Sequence, residues 1–478
     1  MGSDAVKLTI AKLVAMVTSF LTAMILSRFL TLEEFGTYTQ LLLIINFITA
    51  IFVLGLPNSV NYFLARAESR KQQQNFVSVY YSLSTILSFL AGLFLLFTAQ
   101  IFIDFFSNPL LSHFIYFLAI FPWAKIILSS IDHVLIVYQK VNYLFAFRLI
   151  NSTLLLSVVL VSSIMQLDFG IYIGLFLTVE VFLTICVYLI VRNISGKLVL
   201  KLDIPLIKEI FKFSVPIGLA TVVGMLSVQL DKIIISQFYP PEKLAIYANA
   251  AREIPIAIVA SSLTAVIMPK IVRLLKKGRN NNALELWGNG IFISYTVICF
   301  SATALIIFAP EVITVLYSKK YLDGVVIFQI YCLVLLLRST YFGMILSSMG
   351  KTKIILYSSL GALALNVILN YVFYFVFGLI GPAIATFVSI LAINIFQLIF
   401  TSKYLNISFR TVFPWKDLLN ISIVNVAMGV IFLLIKIFVH LDVYLGDVIE
   451  SIILGIIWLG FYLLLMKNQV KKKWEFLK

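Results

Sequence analysis

The chain has 478 residues, of which 62% are hydrophobic and only 12% are charged, and its formal net charge is +15. A soluble domain of this length needs roughly twice that charged fraction to cover its surface, so the composition excludes an ordinary soluble protein. The apolar residues come in blocks of about twenty, which are too long and too continuous for barrel strands and therefore predict membrane-spanning helices.

In chain order, the blocks predict an all-α polytopic membrane protein of about fourteen transmembrane helices. The approximate spans are 8–30, 38–64, 76–103, 110–138, 142–166, 168–192, 211–238, 243–274, 284–309, 323–349, 352–377, 378–404, 414–440 and 444–466. The connecting loops are short, and no soluble domain is predicted on either side of the membrane.

Lys and Arg residues fall on alternate loops, and this bias predicts the orientation. With a cytoplasmic N-terminus, the inside loops hold most of the cations, from Arg66 to the tail that begins at Lys467, and the outside loops hold mostly acids. Only Lys243, Lys319 and Lys320 break the pattern. Both termini are therefore predicted to be cytoplasmic, and the positive charge is interpreted as topology, with no nucleic-acid partner.

The chain also carries two copies of one pattern. Residues 25–29 match residues 234–238 at an offset of 209, and Lys140 falls against Lys351 at an offset of 211. Because an even number of spans preserves orientation, the copies are predicted to be two parallel six-helix repeats with the substrate site between them. The predicted divisions are 1–195, 196–404, and two extra helices with a basic tail in 405–478.

No catalytic, nucleotide-binding or metal-binding pattern was found. Gly350-Lys351-Thr352 resembles the end of a phosphate-binding loop, but Ile345 occupies the position of the required first glycine. The three histidines and three cysteines have neither metal nor redox spacing. The sequence therefore predicts no enzyme, no catalytic residues, no cofactor and no metal.

Ionisable residues inside the predicted spans are the functional candidates, because a charge at that depth costs at least a few kcal/mol. Those near mid-depth are Lys125, Glu180, Arg252, Glu253 and Arg338. For Lys125 and Arg338 we favour a hydrated cavity, whose excess of cations suits an anionic substrate such as a phosphate.

Other charged residues leave two interpretations open. Asp231 and Arg252 lie at similar depth on neighbouring antiparallel helices, where they can form a structural ion pair or act on substrate. Arg28 and Arg148 lie near span ends, where they can snorkel to the interface or act in function.

Five prolines are predicted to interrupt spans two, four, seven and eight, which would permit bending. They are Pro57, Pro122, Pro216, Pro255 and Pro269.

Several motifs resemble those of the polysaccharide-transport flippases, part of the multidrug/oligosaccharidyl-lipid/polysaccharide flippase superfamily. They are the sequences RFLTLEEFGTY at 28–38, FSVP at 213–216, DKIII at 231–235, YANA at 247–250 and GLIGPAIAT at 378–386. Their order and spacing cover most of 1–404.

The resemblance implies two six-helix lobes in a V around a central cavity. It also implies a bacterial plasma-membrane protein that moves an undecaprenyl-pyrophosphate-linked oligosaccharide from the inner to the outer leaflet by alternating access, for surface polysaccharide export. Arg28, Arg252 and Arg66 would meet the pyrophosphate, and Asp231 would be a pairing or coupling residue. Helices 13 and 14 would provide a groove for the polyprenyl tail.

The predicted site therefore has two parts. The substrate-binding residues are Arg28, Arg66, Lys125, Arg252 and Arg338, and the coupling or ion-pair residues are Asp231, Glu253 and Glu180. The expected partners are the lipid-linked oligosaccharide, membrane lipids, a polysaccharide polymerase and glycosyltransferases, with the protein itself a monomer.

Two other functions are kept as alternatives. A multidrug or cation antiporter of the same superfamily would normally have twelve spans and rely on acidic residues in one lobe. A membrane polysaccharide polymerase is disfavoured by the short outer loops. The driving force stays open between H⁺, Na⁺, membrane potential and mass action.

Overall fold

The computed structural model describes residues 2–252, 254–439 and 446–477, and these residues are helical except for short turns and connectors, with no strand among them. The predicted all-α fold is confirmed. The chain divides into two compact units, Met1–Ala245 and Ile246–Lys478. The divisions at 195 and 404 follow the repeat in the sequence and stay a prediction.

The helices of the first unit are numbered in chain order. They are α1 Gly2–Phe29, α2 Leu32–Val53, α3 Leu56–Ser59, α4 Arg70–Phe106, α5 Ile115–Leu128, α6 Ile131–Val137, α7 Val141–Ile164, α8 Phe169–Ser195 and α9 Ile204–Phe238. Two shorter turns accompany them, a π-helix at Val60–Leu64 and a 3₁₀-helix at Pro109–Phe114.

A helix at the boundary between the units, α10 Pro241–Ala250, leads into the helices of the second unit. These are α11 Ile258–Lys276, α12 Asn280–Ile307, α13 Ala309–Leu316, α14 Val325–Leu337, α15 Met344–Ser348, α16 Thr352–Phe377, α17 Gly381–Leu405, α18 Trp415–Val439 and α19 Asp447–Leu477.

Twelve helical stretches of the described chain are long and apolar enough to cross a membrane, judged by length and composition. One of them, Thr352–Leu405, contains both α16 and α17, which a 3₁₀ turn at Gly378–Ile380 separates. The apolar part of α1, Leu13–Phe29, is a shorter candidate. If α16 and α17 are counted separately and α1 is added, the described chain has fourteen candidate membrane-spanning helices, the number that was predicted.

Within the described residues, four of the predicted spans are broken, the second and fourth of each predicted repeat. Spans two and four turn at residues 54–55 and 129–130, and spans eight and ten turn at residues 251–252 and 338–343. The repeat is also visible in the helix ends, since α1 ends at Phe29 and α9 ends 209 residues later at Phe238.

The prolines explain only part of this pattern. Pro57 and Pro255 lie next to breaks, as predicted. The prediction is wrong for Pro122, Pro216 and Pro269, which lie inside the continuous helices α5, α9 and α11. Membrane helices tolerate an internal proline when neighbouring groups satisfy the carbonyl that it leaves free.

The break in span two lies against the backbone of α9. Gly55 has a φ of +73°, in the left-handed region that favours glycine. Gly218 of α9 faces it so closely that a Cβ there would lie 2.1 Å from the carbonyl carbon of Leu54. Two glycines therefore allow α9 to cross span two at backbone distance.

The two C-terminal helices belong to the core of the second unit. Trp458 and Tyr462 of α19 are almost fully buried, and the Tyr462 ring stacks on Phe300 of α12 at 5.2 Å between centroids. Lys436 of α18 forms an ion pair with Glu311 of α13.

Candidate functional site

Three of the predicted cations lie at or beside helix breaks. Lys125 is one turn before the break in span four, and its carbonyl accepts a hydrogen bond from the Ser129 N–H at 3.1 Å. Arg252 is the second residue after the end of α10, and Arg338 directly follows α14. Interrupted membrane helices place backbone and side-chain groups where transporters bind substrates and ions.

Lys125 has polar partners inside the first unit. Its Nζ donates a hydrogen bond to Asn46 Oδ1 of α2, and its charge is attracted by Glu180 of α8. Glu180 is 8% exposed, so burial disfavours its charged form, and the attraction of Lys125 offsets only part of that effect. The structure thus brings two predicted site residues together, although their functional roles stay predictions.

Arg148 forms an ion pair that sequence reasoning missed. Its Nε lies 3.2 Å from Asp132 Oδ1, and its Nη2 donates to Asp132 Oδ2, so α7 is bound to α6 by a two-point contact. The side chains are 29% and 32% exposed. The pair corrects the snorkelling interpretation of Arg148. The ring of the adjacent His133 contacts the Asn61 side chain, with the two nitrogens 2.9 Å apart.

Asp132, Arg148 and Glu180, but not Lys125, line a common cavity within the first unit. The cavity has a volume of about 400 Å³ and lies among α1, α5, α6, α7 and α8. Its polar lining includes Thr22, Asp132, Arg148, Asn151, Tyr172 and Glu180. Such a lining suits water and small polar groups, so the first unit is not uniformly apolar at span depth.

The remaining predicted residues of the first unit lie on α1, on α9 and at the end of span two. Arg28 is exposed in the last turn of α1, where the helix dipole favours a cation. Asp231 of α9 is 4% exposed, and its Oδ1 accepts from the Lys232 backbone N–H at 2.8 Å. Arg66 is exposed at the end of span two, with its guanidinium over the Tyr62 ring.

In the second unit, Arg252 and Arg338 are partly buried, and Glu253 lies outside the described residues. Arg252 is close enough to Tyr317 to act on it electrostatically. Burial raises the pKa of the Tyr317 hydroxyl to about 12, and the positive charge of Arg252 opposes that rise. The predicted ionisable residues are therefore divided between the units, and the two that the structure describes in the second unit are cations.

An apolar groove of about 520 Å³ runs along the second unit among α12, α14, α17 and α18. Leu336, Phe387, Leu391 and Leu418 are among the apolar residues that line it. Its few polar groups include Tyr295 and Ser422, which are hydrogen-bonded to each other at 2.7 Å. Such a lining fits a hydrocarbon chain rather than a sugar.

Sequence comparisons identify relatives of the chain. A family model described as polysaccharide biosynthesis protein matches residues 25–326. The uncharacterized membrane protein MJ1068 of Methanocaldococcus jannaschii is 26% identical over 356 residues, which cover 71% of this chain and 67% of MJ1068. The capsular polysaccharide biosynthesis protein CapF of Staphylococcus aureus is 22% identical over 185 residues, which cover 38% of this chain and 47% of CapF.

Solved structures with a similar fold are transporters and flippases. The lipid II flippase MurJ in its inward closed conformation aligns with a TM-score of 0.69 and 17% identity, over 95% of this chain and 98% of MurJ. A multidrug resistance MATE family transporter in its inward-facing conformation aligns with a TM-score of 0.67 and 15% identity, over 84% of this chain and 98% of its own. At these identities the likeness concerns the fold.

Proposed function

The chain belongs to the polysaccharide biosynthesis family of multi-pass membrane proteins, and from this premise we propose that it is a lipid-linked oligosaccharide flippase. It moves an undecaprenyl-pyrophosphate-linked oligosaccharide from the inner to the outer leaflet of the bacterial plasma membrane by alternating access. Surface polysaccharide export is the process that it serves.

The observation that carries the proposal is the position of the cations. Arg252 and Arg338 lie at breaks within spans of the second unit, and Lys125 lies beside a break in the first. A cation at such depth is costly unless water, protein or an anion meets it. A pyrophosphate supplies the anion, and guanidinium groups match its geometry in a bidentate manner.

The apolar groove of the second unit supports the lipid part of the substrate. It is lined partly by α18, which corresponds to predicted span thirteen. The family resemblance implies that spans thirteen and fourteen provide a groove for the polyprenyl tail. A prenyl chain in this groove would gain about 25 cal/mol for each Å² of apolar surface removed from water. The diphosphate would meet the arginines, and the sugars would remain in a hydrated space.

Other parts of the proposal concern coupling and partners. Glu180 and Asp231 are the buried carboxylates proposed to couple transport to an ion or to hold the units' helices in place. A polysaccharide polymerase and glycosyltransferases are the proposed partners, because glycosyltransferases supply the lipid-linked glycan and a polymerase consumes it.

Translocation in vesicles tests the proposal. The purified chain is reconstituted with a fluorescent undecaprenyl-pyrophosphate oligosaccharide, and the fraction exposed on the outer leaflet is followed by chemical quenching. Protein-dependent movement of this lipid, with no movement of a fluorescent phosphatidylethanolamine, is expected. Vesicles without protein are the control.

The same vesicles separate the proposal from the multidrug antiporter. Ethidium uptake under an imposed pH or Na⁺ gradient is measured in parallel. Gradient-driven ethidium uptake without movement of the lipid-linked oligosaccharide would contradict the flippase and favour the antiporter.

A further inference from the structure

The end of span two is a π-helical turn, Val60–Leu64, held by three different helices. A π-helical turn is uncommon and occurs often at functional sites. The consecutive residues Asn61, Tyr62 and Phe63 contact α6, α9 and α4, respectively. Their partners are His133, with nitrogens 2.9 Å apart, Phe213, with ring centroids 4.5 Å apart, and Phe76, with ring centroids 5.7 Å apart. The turn is therefore fixed on three sides.

Arg66 follows this turn and contacts Tyr62 in two ways. Its guanidinium carbon lies 4.3 Å from the centroid of the Tyr62 ring, and its Nη1 donates a hydrogen bond to the Tyr62 hydroxyl. The Tyr62 ring in turn stacks on Phe213 with an interplanar angle of 24°. A guanidinium has five N–H donors, and Tyr62 accepts from only one of them.

The donors that remain face outward. Arg66 is exposed, and among the described residues the only hydrogen bond of its guanidinium is the one to Tyr62. Exposed cations begin α4 and precede Phe213 on α9, and Glu68 and Glu209 are acids close to them in the sequence. These cations are Arg70, Lys71, Lys208 and Lys212. Their excess over the acids raises the local concentration of anions.

We propose that the stack of Tyr62 on Phe213 positions Arg66 to bind the diphosphate of a lipid-linked substrate at the end of span two. The inference rests on the proposed function and adds Tyr62 to it as a positioning residue. Stacking holds the planar guanidinium in one orientation, so less conformational freedom is lost when its two-point contact with phosphate forms. A leucine at position 62 would leave the side chain of Arg66 free to rotate.

Binding of farnesyl diphosphate to the purified full-length chain tests this positioning. The dissociation constant is measured by calorimetry for the wild type, Tyr62→Leu, Tyr62→Phe and Arg66→Lys, with farnesol as the uncharged reference. Tyr62→Leu is expected to weaken diphosphate binding by about three- to thirtyfold, the range of a cation–π contact. Tyr62→Phe keeps the ring and should retain most of the affinity. Tyr116→Leu, at another exposed tyrosine of the first unit, is the matched control.

The double variant distinguishes positioning from a general effect on folding. In the Arg66→Lys background, Tyr62→Leu should change the affinity by less than about twofold, because the planar group that it orients is already gone. An equal loss of affinity on Tyr62→Leu in the wild-type and Arg66→Lys backgrounds would show that Tyr62 affects the folding of the first unit in general. That result would overturn the inference.

The remaining outcomes separate this inference from the proposed function. If the wild type prefers the diphosphate over farnesol and Tyr62→Leu binds it as tightly as the wild type does, diphosphate capture stands and the role of Tyr62 is wrong. If the wild type shows no preference for the diphosphate, both the inference and the phosphate-binding part of the proposed function are wrong.

Discussion

The crossing of span two and α9 makes one substitution especially informative, Gly218→Ala. In an exposed helix the change would stabilise the protein by about 1 kcal/mol, because alanine is the better helix former. Here the new Cβ would lie 2.1–2.4 Å from three backbone atoms of Leu54. Carbon atoms in contact are about 3.5–4.0 Å apart, so α9 and Leu54 would have to separate by about 1.5 Å.

The packing cost should exceed the gain in helix propensity. Overpacking a close contact costs about 1–3 kcal/mol, and a backbone neighbour cannot rotate away as a side chain can. We therefore take the upper end of that range, about 3 kcal/mol, and subtract the gain of about 1 kcal/mol in helix propensity. The net destabilisation of about 2 kcal/mol should lower the apparent Tm of a unit of this size by about 4–8 °C. Transport should also fall, because the break beside Leu54 would be displaced.

Gly224→Ala is the matched control for this prediction. Gly224 lies in the same helix, and a Cβ there would meet no atom within 4 Å. Both variants are purified in the same detergent, and unfolding is followed by intrinsic fluorescence during heating. Gly224→Ala should unfold at or slightly above the wild-type temperature. If Gly218→Ala unfolds at the same temperature as Gly224→Ala, the close crossing is refuted.

Three further predictions concern the site and the topology. Arg252→Ala should weaken binding of the lipid-linked pyrophosphate about ten- to a hundredfold, since a charge-assisted contact contributes about 1.5–3 kcal/mol. Arg252→Lys should recover only part of this affinity, because an ammonium cannot form the two-point contact. Normal glycan export by Arg252→Ala in a complemented deletion strain would exclude this contact. Asp132→Asn and Arg148→Gln should each lower the apparent Tm. The double variant should lose less stability than the sum of the two single losses, with a coupling of about 1–2 kcal/mol. Strict additivity of the two losses would contradict the ion pair. Reporter fusions after Arg279 should read as cytoplasmic and those after Glu242 as external, and an external signal at Arg279 would overturn the predicted topology.

Hydropathy was sufficient to predict the number and approximate positions of the helices, because hydrocarbon requires long apolar segments with internally bonded backbones. It was not sufficient for the breaks. The stretch 338–343 contains no proline, and its backbone is satisfied from elsewhere in the second unit. Ser294 donates to the carbonyl of Ser339, and Asn394 donates to the carbonyl of Leu337 at 2.9 Å. Partners this distant in sequence leave no local signal.

The same limit applies to the candidate site. Depth in a span identified Lys125 and Glu180 as unusual charges, but their proximity depends on the packing of α5 against α8. Arg148 was recognised only as a residue near a span end, because its partner Asp132 lies across a turn on another helix. Single charges could thus be located from hydropathy, whereas their pairing required tertiary structure.

The break at 338–343 has a consequence for amide hydrogen exchange. In an uninterrupted membrane helix, almost every N–H is bonded to the carbonyl four residues earlier and exchanges very slowly. Within the break this ladder is replaced by short turns, such as the hydrogen bond from the Arg338 N–H to the Leu335 carbonyl at 3.0 Å. Deuterium should therefore enter this stretch while α14 before it and α16, which lies beyond the short α15, remain protected. A peptide from the middle of a predicted span would then report local unfolding within the second unit.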